Sequence, residues 1–345
     1  MKNLYIFVLA GGSGERLWPL SKKNCPKQLI PFLGNSSLLQ QTIERVTMPG
    51  IAKDRLWVIT HKDQAEKVRE LVGENVGRVV AEPCARNTGP AILFACHEIY
   101  KDDPDAIIAV LPSDHFIPNK KDFREVLEKA YQEVETQEKI ACLGLMPTFP
   151  ATGYGYIHAN LEPERKEQKS FYQVISFHEK PDFERAQKYI QQQEMLWNIG
   201  IFIGRVKVFI QEFENCAPDL AEKMRWYMSG KISYEDLPKI SIDYAVMEKS
   251  RNIIVFPADF EWYDVGNLNT FLSLKAQYSH DNLSVISIEG KGNLASTHKK
   301  VVACVGVSDL CIVETDDVLL VAEKSKIEEV KQVLAQVKKI HEHMA

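Results

Sequence analysis

Residues 9–28 read Leu9-Ala-Gly-Gly-Ser-Gly-Glu-Arg-Leu-Trp-Pro-Leu-Ser-Lys-Lys-Asn-Cys-Pro-Lys-Gln28. They continue an apolar run, Tyr5-Ile-Phe-Val-Leu-Ala10, which has the pattern of a strand buried on both faces of a parallel sheet. Glycines stand at positions 11, 12 and 14. Glycine accepts positive φ and lets backbone approach a ligand closely, so amide N–H groups can converge on an anion. Arg16 and Lys27 add fixed positive charge, and Pro19 and Pro26 stiffen the segment between them. A strand, a bare-backbone turn and two cations make a cradle for a polyphosphate.

Two other phosphate loops are excluded by spacing. A dinucleotide fingerprint starting at Gly12 needs glycine at position 17, where Leu17 stands. A P-loop needs G-x-x-x-x-G-K followed by Ser or Thr, and the chain has none. Through about residue 145 strand and helix patterns alternate. Strands are expected at Tyr5–Ala10, Arg55–Thr60, Arg78–Glu82, Ala106–Leu111 and Ile140–Leu145, with helices at Leu38–Val46, Lys62–Val72, Gly89–Tyr100 and Phe123–Thr136. Such alternation predicts an α/β fold, a mostly parallel sheet with helices on both faces. From 150 to 280 the pattern is mixed, with strands near Tyr172–His178, Gly200–Gly204 and Asn252–Phe256. A division is expected near Asp281-Asn282, giving domains 1–281 and 282–345. The second is a small β unit, for which a left-handed β-helix is one available form. Its terminal helix carries Ile327, Val330, Leu334, Val337 and Ile340 on one stripe, suited to docking on its own unit or, alternatively, on a second copy.

Ligands bind parallel sheets beyond the carboxyl ends of the strands, and chemistry-bearing residues gather there. Pro112-Ser113-Asp114-His115 ends one strand in a carboxylate. An ionised aspartate in that position needs a partner or a metal; capping through an Asx-turn is the alternative. Asp264, in Trp262-Tyr-Asp-Val-Gly266, is a second such acid, with an N-cap of the following helix as its alternative. Glu82-Pro83 with Arg86-Asn87-Thr88 follows the third strand, where Asn87 and Thr88 can also cap a helix. Trp262 and Tyr263 read as packing.

These segments together resemble the sugar-1-phosphate nucleotidylyltransferases. G-G-x-G-x-R-L-x-P-L-S followed by P-K-Q is similar to that family's signature, and L-W-P-L-S resembles the mannose-1-phosphate guanylyltransferase branch. The resemblance implies the nucleotidyltransferase fold, a Rossmann-like sheet. It implies GTP and mannose 1-phosphate as substrates and GDP-mannose and pyrophosphate as products, with Mg²⁺ or another divalent cation held by Asp114 and Asp264. Nucleotide contacts then fall to Leu9, Ala10, Gly11, Gly12, Gly14, Arg16, Lys27, Glu82, Pro83, Asn87, Thr88, Ser113 and Asp114. On the sugar-phosphate side Gly153-Tyr-Gly-Tyr-Ile157, Glu179-Lys180-Pro181 and Trp197-Asn198-Ile-Gly200 resemble the family's Y-G-Y-I, E-K-P and W-N-S-G segments. That assigns Tyr154, Gly155, Glu179, Lys180, Asn198, Gly200 and Asp264 to the sugar phosphate, and Arg16, Lys27, Asp114, Lys180 and Asp264 to catalysis. Taken alone, E-K-P reads more readily as a solvated charge pair than as a binding motif. The chain departs from the family at Ile199, where serine is usual, and at Leu268, where an aromatic residue is frequent. Ile240-Ser-Ile-Asp243-Tyr-Ala-Val-Met-Glu248 also matches closely; its apolar residues read as core and Asp243 as a helix cap.

The 345 residues carry 45% hydrophobic and 26% charged side chains, as a soluble globular protein does. A net charge of −5 argues against nucleic acid as partner. Seven cysteines without C-x-x-C or metal spacing read as small core residues of a cytoplasmic protein. No apolar stretch is long enough to cross a membrane. The chain ends soon after the small β unit, so no isomerase activity is expected. Competing readings are a sister enzyme using another hexose phosphate or nucleotide, a silent sugar-nucleotide sensor, and a dehydrogenase. The last is weakened by Leu17, the sensor by the full set of Arg16, Lys27, Asp114 and Asp264.

Overall fold

The structure, a computed structural model, describes all residues except 13, 23–24, 162–169, 280–284, 298–299 and 341–345. The division expected at Asp281-Asn282 therefore lies outside the described residues. By contact the chain forms two compact units. The first comprises Met1–Leu9, Arg45–Pro112 and Ile117–Glu261; the second comprises Ala10–Glu44, Ser113–Phe116 and Trp262–Ala345.

The first unit is built on a nine-stranded sheet. Its strands lie in the order Arg78–Glu82, Leu56–His61, Leu4–Leu9, Ile107–Pro112, Met195–Arg205, Ile140–Leu145, Ile253–Ala258, Tyr172–His178, Gly155–Ala159. The first four are mutually parallel, with Ile6 opposite Leu56 and Ala109. Both faces are covered: successive residues Ile6, Phe7 and Val8 are each fully buried although they point to opposite sides. Helix Thr88–Tyr100 groups with Val206–Cys216 and Pro218–Met228, while Lys120–Thr136 lies against the central strands. Beyond Ile107–Pro112 the sheet is mixed. Met195–Arg205 runs antiparallel to three neighbours, and Ile253–Ala258 is parallel to Ile140–Leu145.

The short strand expected at Gly200–Gly204 is in fact the second half of the eleven-residue Met195–Arg205. Its ladder slips between Asn198 and Phe202, and Gly200 at φ +67° takes the left-handed turn of that irregularity. The polar and glycine residues that suggest a strand boundary instead mark a bulge, and Asn198 sits on it.

The second unit begins with the glycine loop. It continues through the small hairpin Pro31–Leu33/Ser36–Ser37, the two-residue ladder of His115–Phe116 with Tyr263–Asp264, and helix Leu268–Tyr278. After it come Val285–Ile288 parallel to Val302–Val305, and Leu294–Ser296 parallel to Leu310–Glu314. Leu319–Glu323 then pairs antiparallel with Leu310–Glu314. A turn at Lys324–Glu329 leads into the terminal helix Val330–Ile340. Leu17, Trp18, Phe32, Phe116, Val265, Leu268, Phe271, Ile327, Val330 and Leu334 share one buried core. The terminal stripe thus docks on its own unit, with one correction: Ile340 is 73% exposed, so burial ends before it. None of the seven cysteines forms a disulfide. No described helix is long and apolar enough to cross a membrane.

Candidate active site

In the second unit the glycine loop turns through Gly14, at φ +70° and ψ 25°. Its closeness to Lys27 forbids a side chain, because a Cβ there would stand 2.6 Å from Lys27 Cβ and 3.0 Å from Lys27 N. Two polar groups tie the loop down. Ser21 Oγ donates to Gly14 O at 2.6 Å, and buried Gln28 donates to Ala10 O at 2.8 Å. Gly11 and Gly12 are exposed, while Ala10 and Ser113 are buried.

Lys27 reaches Asp114 as an ion pair with both side chains largely buried. Burial disfavours the ammonium. The charge of Asp114, then that of Asp264, outweighs it and lifts Lys27 above its ordinary value. Burial, the largest single influence, raises Asp114, but the charges of Lys27 and His115 and the hydrogen bonds it accepts together outweigh burial and hold the carboxyl at about 2. Asp264 pairs in register with His115, and Val265 N donates to Asp114 O at 3.2 Å. Asp114, His115 and Asp264 thereby bring one ligand atom each within 4.8 Å of one another. Capping does not account for Asp264: the following helix is capped by Asn267, which accepts from Thr270 N at 3.0 Å. His115 packs edge-on against Trp262 at 5.1 Å. Leu268, the departure from the family pattern, is fully buried in the core beside Val265.

Arg16 lies across the same corner. A methyl built on Gly266 would be 3.5 Å from an Asp264 oxygen and 3.8 Å from Arg16 Nη1. Arg16 forms an ion pair with Glu328 at 3.9 Å, both partners being about half exposed. Such a pair is worth little, so Arg16 remains available to an anion.

The remaining candidates are in the first unit. Glu82 ends its strand 8% exposed and accepts from Tyr234 Oη at 2.7 Å. Burial raises its carboxyl to about 7 despite that bond. Tyr234, 152 residues away, left no signal in the local sequence. Pro83 is half-buried. Asn87, at φ +69°, caps helix Thr88–Tyr100 as expected and accepts from Thr88 N at 2.8 Å. Thr88 Oγ1 accepts from Ile242 N at 2.9 Å, and Gly89 N donates to Ile240 O at 3.0 Å.

Because its folded carboxyl lies above the unfolded value, Glu82 favours the fold most below pH 4.5, and that contribution is lost as the pH rises through about 7. The Tyr234 hydroxyl opposes this loss by stabilising the charged form. Tyr234→Phe is expected to cost about 2 kcal/mol at pH 8.5 and distinctly less at pH 5. Thermal melts of both proteins across that range check it; an equal loss at both ends would rule the pair out.

Of the residues expected to face the sugar phosphate, Gly155, Glu179, Lys180 and Asn198 come together. A Cβ on Gly155 would stand 2.6 Å from Glu179 Oε2 and 3.2 Å from Asn198 Cβ. Lys180 Nζ pairs with Glu179 Oε1 at 2.8 Å; the acid is 7% and the lysine 57% exposed, so this is a half-solvated pair. Tyr154 lies edge-on to Trp197 at 5.3 Å. Gly200 N donates to Asn198 Oδ1 at 2.9 Å. Ile199 is 1% exposed, a core side chain where a hydroxyl was the family expectation. Asp243 is not the helix cap read from sequence: it is the first residue inside a wide turn and binds Asn198.

Glycine loop, paired acids and half-parallel sheet define an α/β protein that handles phosphate groups. The nucleotidyl transferase family model matches residues 6–281, and a mannose-phosphate isomerase/GMP-like β-helix domain matches 284–337. Mannose-1-phosphate guanylyltransferase of Escherichia coli K12 is 33% identical, over 99% of this chain and 75% of its own length. The chain belongs to the nucleotidyl transferase family, in its mannose-1-phosphate guanylyltransferase branch. Xanthan biosynthesis protein XanB of Xanthomonas campestris is 35% identical over 98% of this chain and 74% of its own. A solved structure from Thermus thermophilus, described as a mannose-1-phosphate geranyltransferase, superimposes with a TM-score of 0.83 at 33% identity, covering 98% of this chain and all of that one.

Proposed function

We propose that the protein transfers GMP from GTP to mannose 1-phosphate, giving GDP-mannose and pyrophosphate. A phosphate oxygen of the sugar phosphate attacks the α-phosphorus in line, and the bond to the β-phosphate oxygen breaks. No protein nucleophile takes part, so catalysis is positioning and charge neutralisation. The observation that carries this reading is the meeting of Lys27, Asp114 and Asp264 below a glycine turn that admits no side chain. Charge complementarity to a triphosphate needs both signs of charge at one place, the cations for phosphate oxygens and the acids for a cation travelling with the nucleotide.

That donor set fits a divalent metal. Two carboxylates and an imidazole gather on one point, and the Lys27 ammonium stands there as the positive charge they require. Asp114 and Asp264 would hold Mg²⁺ or a similar cation, which when bound would offset phosphate charge and polarise the transferred group. Arg16 and the loop amides steady the departing pyrophosphate. Lys27 and Lys180 place the transferred and attacking phosphates, and Glu179, Asn198 and the bare backbone of Gly155 receive the hexose. Glu82, held by Tyr234, accepts from the N1–H and N2–H₂ donors that guanine offers and adenine lacks. Residues 1–281 form the catalytic domain in this reading and 282–345 a β domain, consistent with matches ending at 281 and starting at 284. The enzyme works in the cytoplasm.

Pyrophosphate release measured for GTP, ATP, UTP and dTTP against mannose and glucose 1-phosphates tests the reading. GTP with mannose 1-phosphate is expected to exceed every other pair by at least about tenfold in kcat/KM. A comparable rate with ATP and glucose 1-phosphate would overturn the specificity. Binding of GDP-mannose without turnover would overturn the reaction.

A further inference from the structure

The segment Ser241–Glu248 has no part in the mechanism above, yet it holds two residues that do. Asp243–Met247 is a π-turn, in which Glu248 N donates to Asp243 O at 2.9 Å. Such turns are rare and concentrate at functional sites. At its first position the Asp243 carboxylate accepts from Asn198 Nδ2 at 3.1 Å, across 45 residues of sequence. Beyond its last position Glu248 Oε1 accepts from Glu179 N at 2.9 Å. The E-K-P segment it grips is strained, with Lys180 at φ +48°.

The Asn198 amide is gripped at both ends. A carboxylate can only accept, so it faces the amino group; the Gly200 N–H can only donate, so it faces the oxygen. Together these contacts settle which way the amide points, and they leave one Asn198 N–H for another acceptor. The bare backbone of Gly155 keeps the space beside Asn198 and the Glu179 carboxylate clear of a side chain. An oriented N–H donor beside a carboxylate acceptor matches a sugar hydroxyl, which both accepts and donates.

Building on the reading under "Proposed function", we infer that Asp243 is a positioning residue for hexose recognition, acting through Asn198, and that Glu248 fixes Glu179 from the other end of the same turn. Neither has to touch the substrate. Loss of Asp243 leaves the amide held only through its oxygen by the Gly200 N–H, so it can rotate away and present that oxygen to a hydroxyl already faced by the Glu179 carboxylate. The binding site then keeps its shape and loses its donor.

Steady-state kinetics of the full chain test this, varying each substrate in turn, with thermal melts alongside. Asp243→Ala is expected to raise KM for mannose 1-phosphate about tenfold or more while KM for GTP moves less than about twofold. Asp243→Asn, whose carbonyl can still accept from Asn198, restores KM to within about threefold of wild type. In an Asn198→Ala background, Asp243→Ala adds nothing further, since a residue acting through another is not additive with it. An unchanged KM for the sugar phosphate, equal rises for both substrates, or full additivity overturns the inference. Should Asp243→Ala not fold, Glu248→Ala at an exposed position carries the same test: a selective rise supports the inference and none overturns it. Wild type inactive on GTP and mannose 1-phosphate would sink the proposed reaction; active wild type with unshifted variants sinks only this inference.

Discussion

Asp264→Ala is expected to fold, to melt within a few degrees of wild type, and to release pyrophosphate about 10³-fold more slowly. The two halves of that expectation come from different features. Asp264 is half-buried at the end of a two-residue ladder and caps no helix, so the fold asks little of it. Its removal also relieves repulsion from Asp114. The catalytic loss arises because Lys27 already balances Asp114. With Asp264 gone, the remaining acid is paired and the corner carries no net negative charge to attract a cation. Asp114→Ala is a less clean experiment, since it strips the buried Lys27 ammonium of its nearest counter-charge and costs stability as well. Turnover across a wide Mg²⁺ range, together with Mn²⁺ binding by paramagnetic resonance without substrate, reads both the rate and the site. Full turnover at saturating Mg²⁺, or unaltered Mn²⁺ affinity, would falsify the two-acid site.

What the sequence disclosed of this arrangement follows a physical rule. The glycine loop, Asp114 and Asp264 were legible because each is a local event. For the first two a buried strand ends and the next residues carry charge or lack side chains; Asp264 stands just before Gly266 and a helix start. Burial of the first strands on both faces was legible for the same reason, as continuous apolar runs such as Tyr5–Ala10. Strand–helix alternation gave the parallel direction of the first four strands. Where the alternation lapses, direction was not legible, because the side-chain period is two whether a neighbour runs parallel or antiparallel; hence the mixed half of the sheet came only from the structure. The bulge that lengthens Met195–Arg205 hid behind Gly200, which reads as a boundary. Least visible were pairings across the fold. Tyr234 with Glu82, Ile242 with Thr88 and Asp243 with Asn198 join residues 152, 154 and 45 positions apart. An aspartate beginning a turn looks like a cap until its partner is seen.

Gly14→Ala is expected to lower kcat/KM for GTP by about 10²-fold, through displacement of Lys27. Two costs combine at this position. A Cβ at φ +70° adds about 1–2 kcal/mol of backbone strain. The same Cβ would meet Lys27 at its Cβ and backbone nitrogen, 2.6 and 3.0 Å away, which no side-chain rotation can move aside. Either the loop opens or Lys27 retreats, and retreat withdraws the ammonium from Asp114. Gly230→Ala separates the costs. Gly230 has the same sign of φ, +73°, with no atom within 4 Å of a built Cβ, so only the strain applies there. That variant is expected to lose about 1 kcal/mol of stability and no activity. Thermal melts and GTP kinetics of both variants decide the matter. If Gly14→Ala matched Gly230→Ala in stability and also kept its kcat/KM, the tight approach of the loop to Lys27 would be architecture alone, and Lys27 would need no such placement to serve the nucleotide.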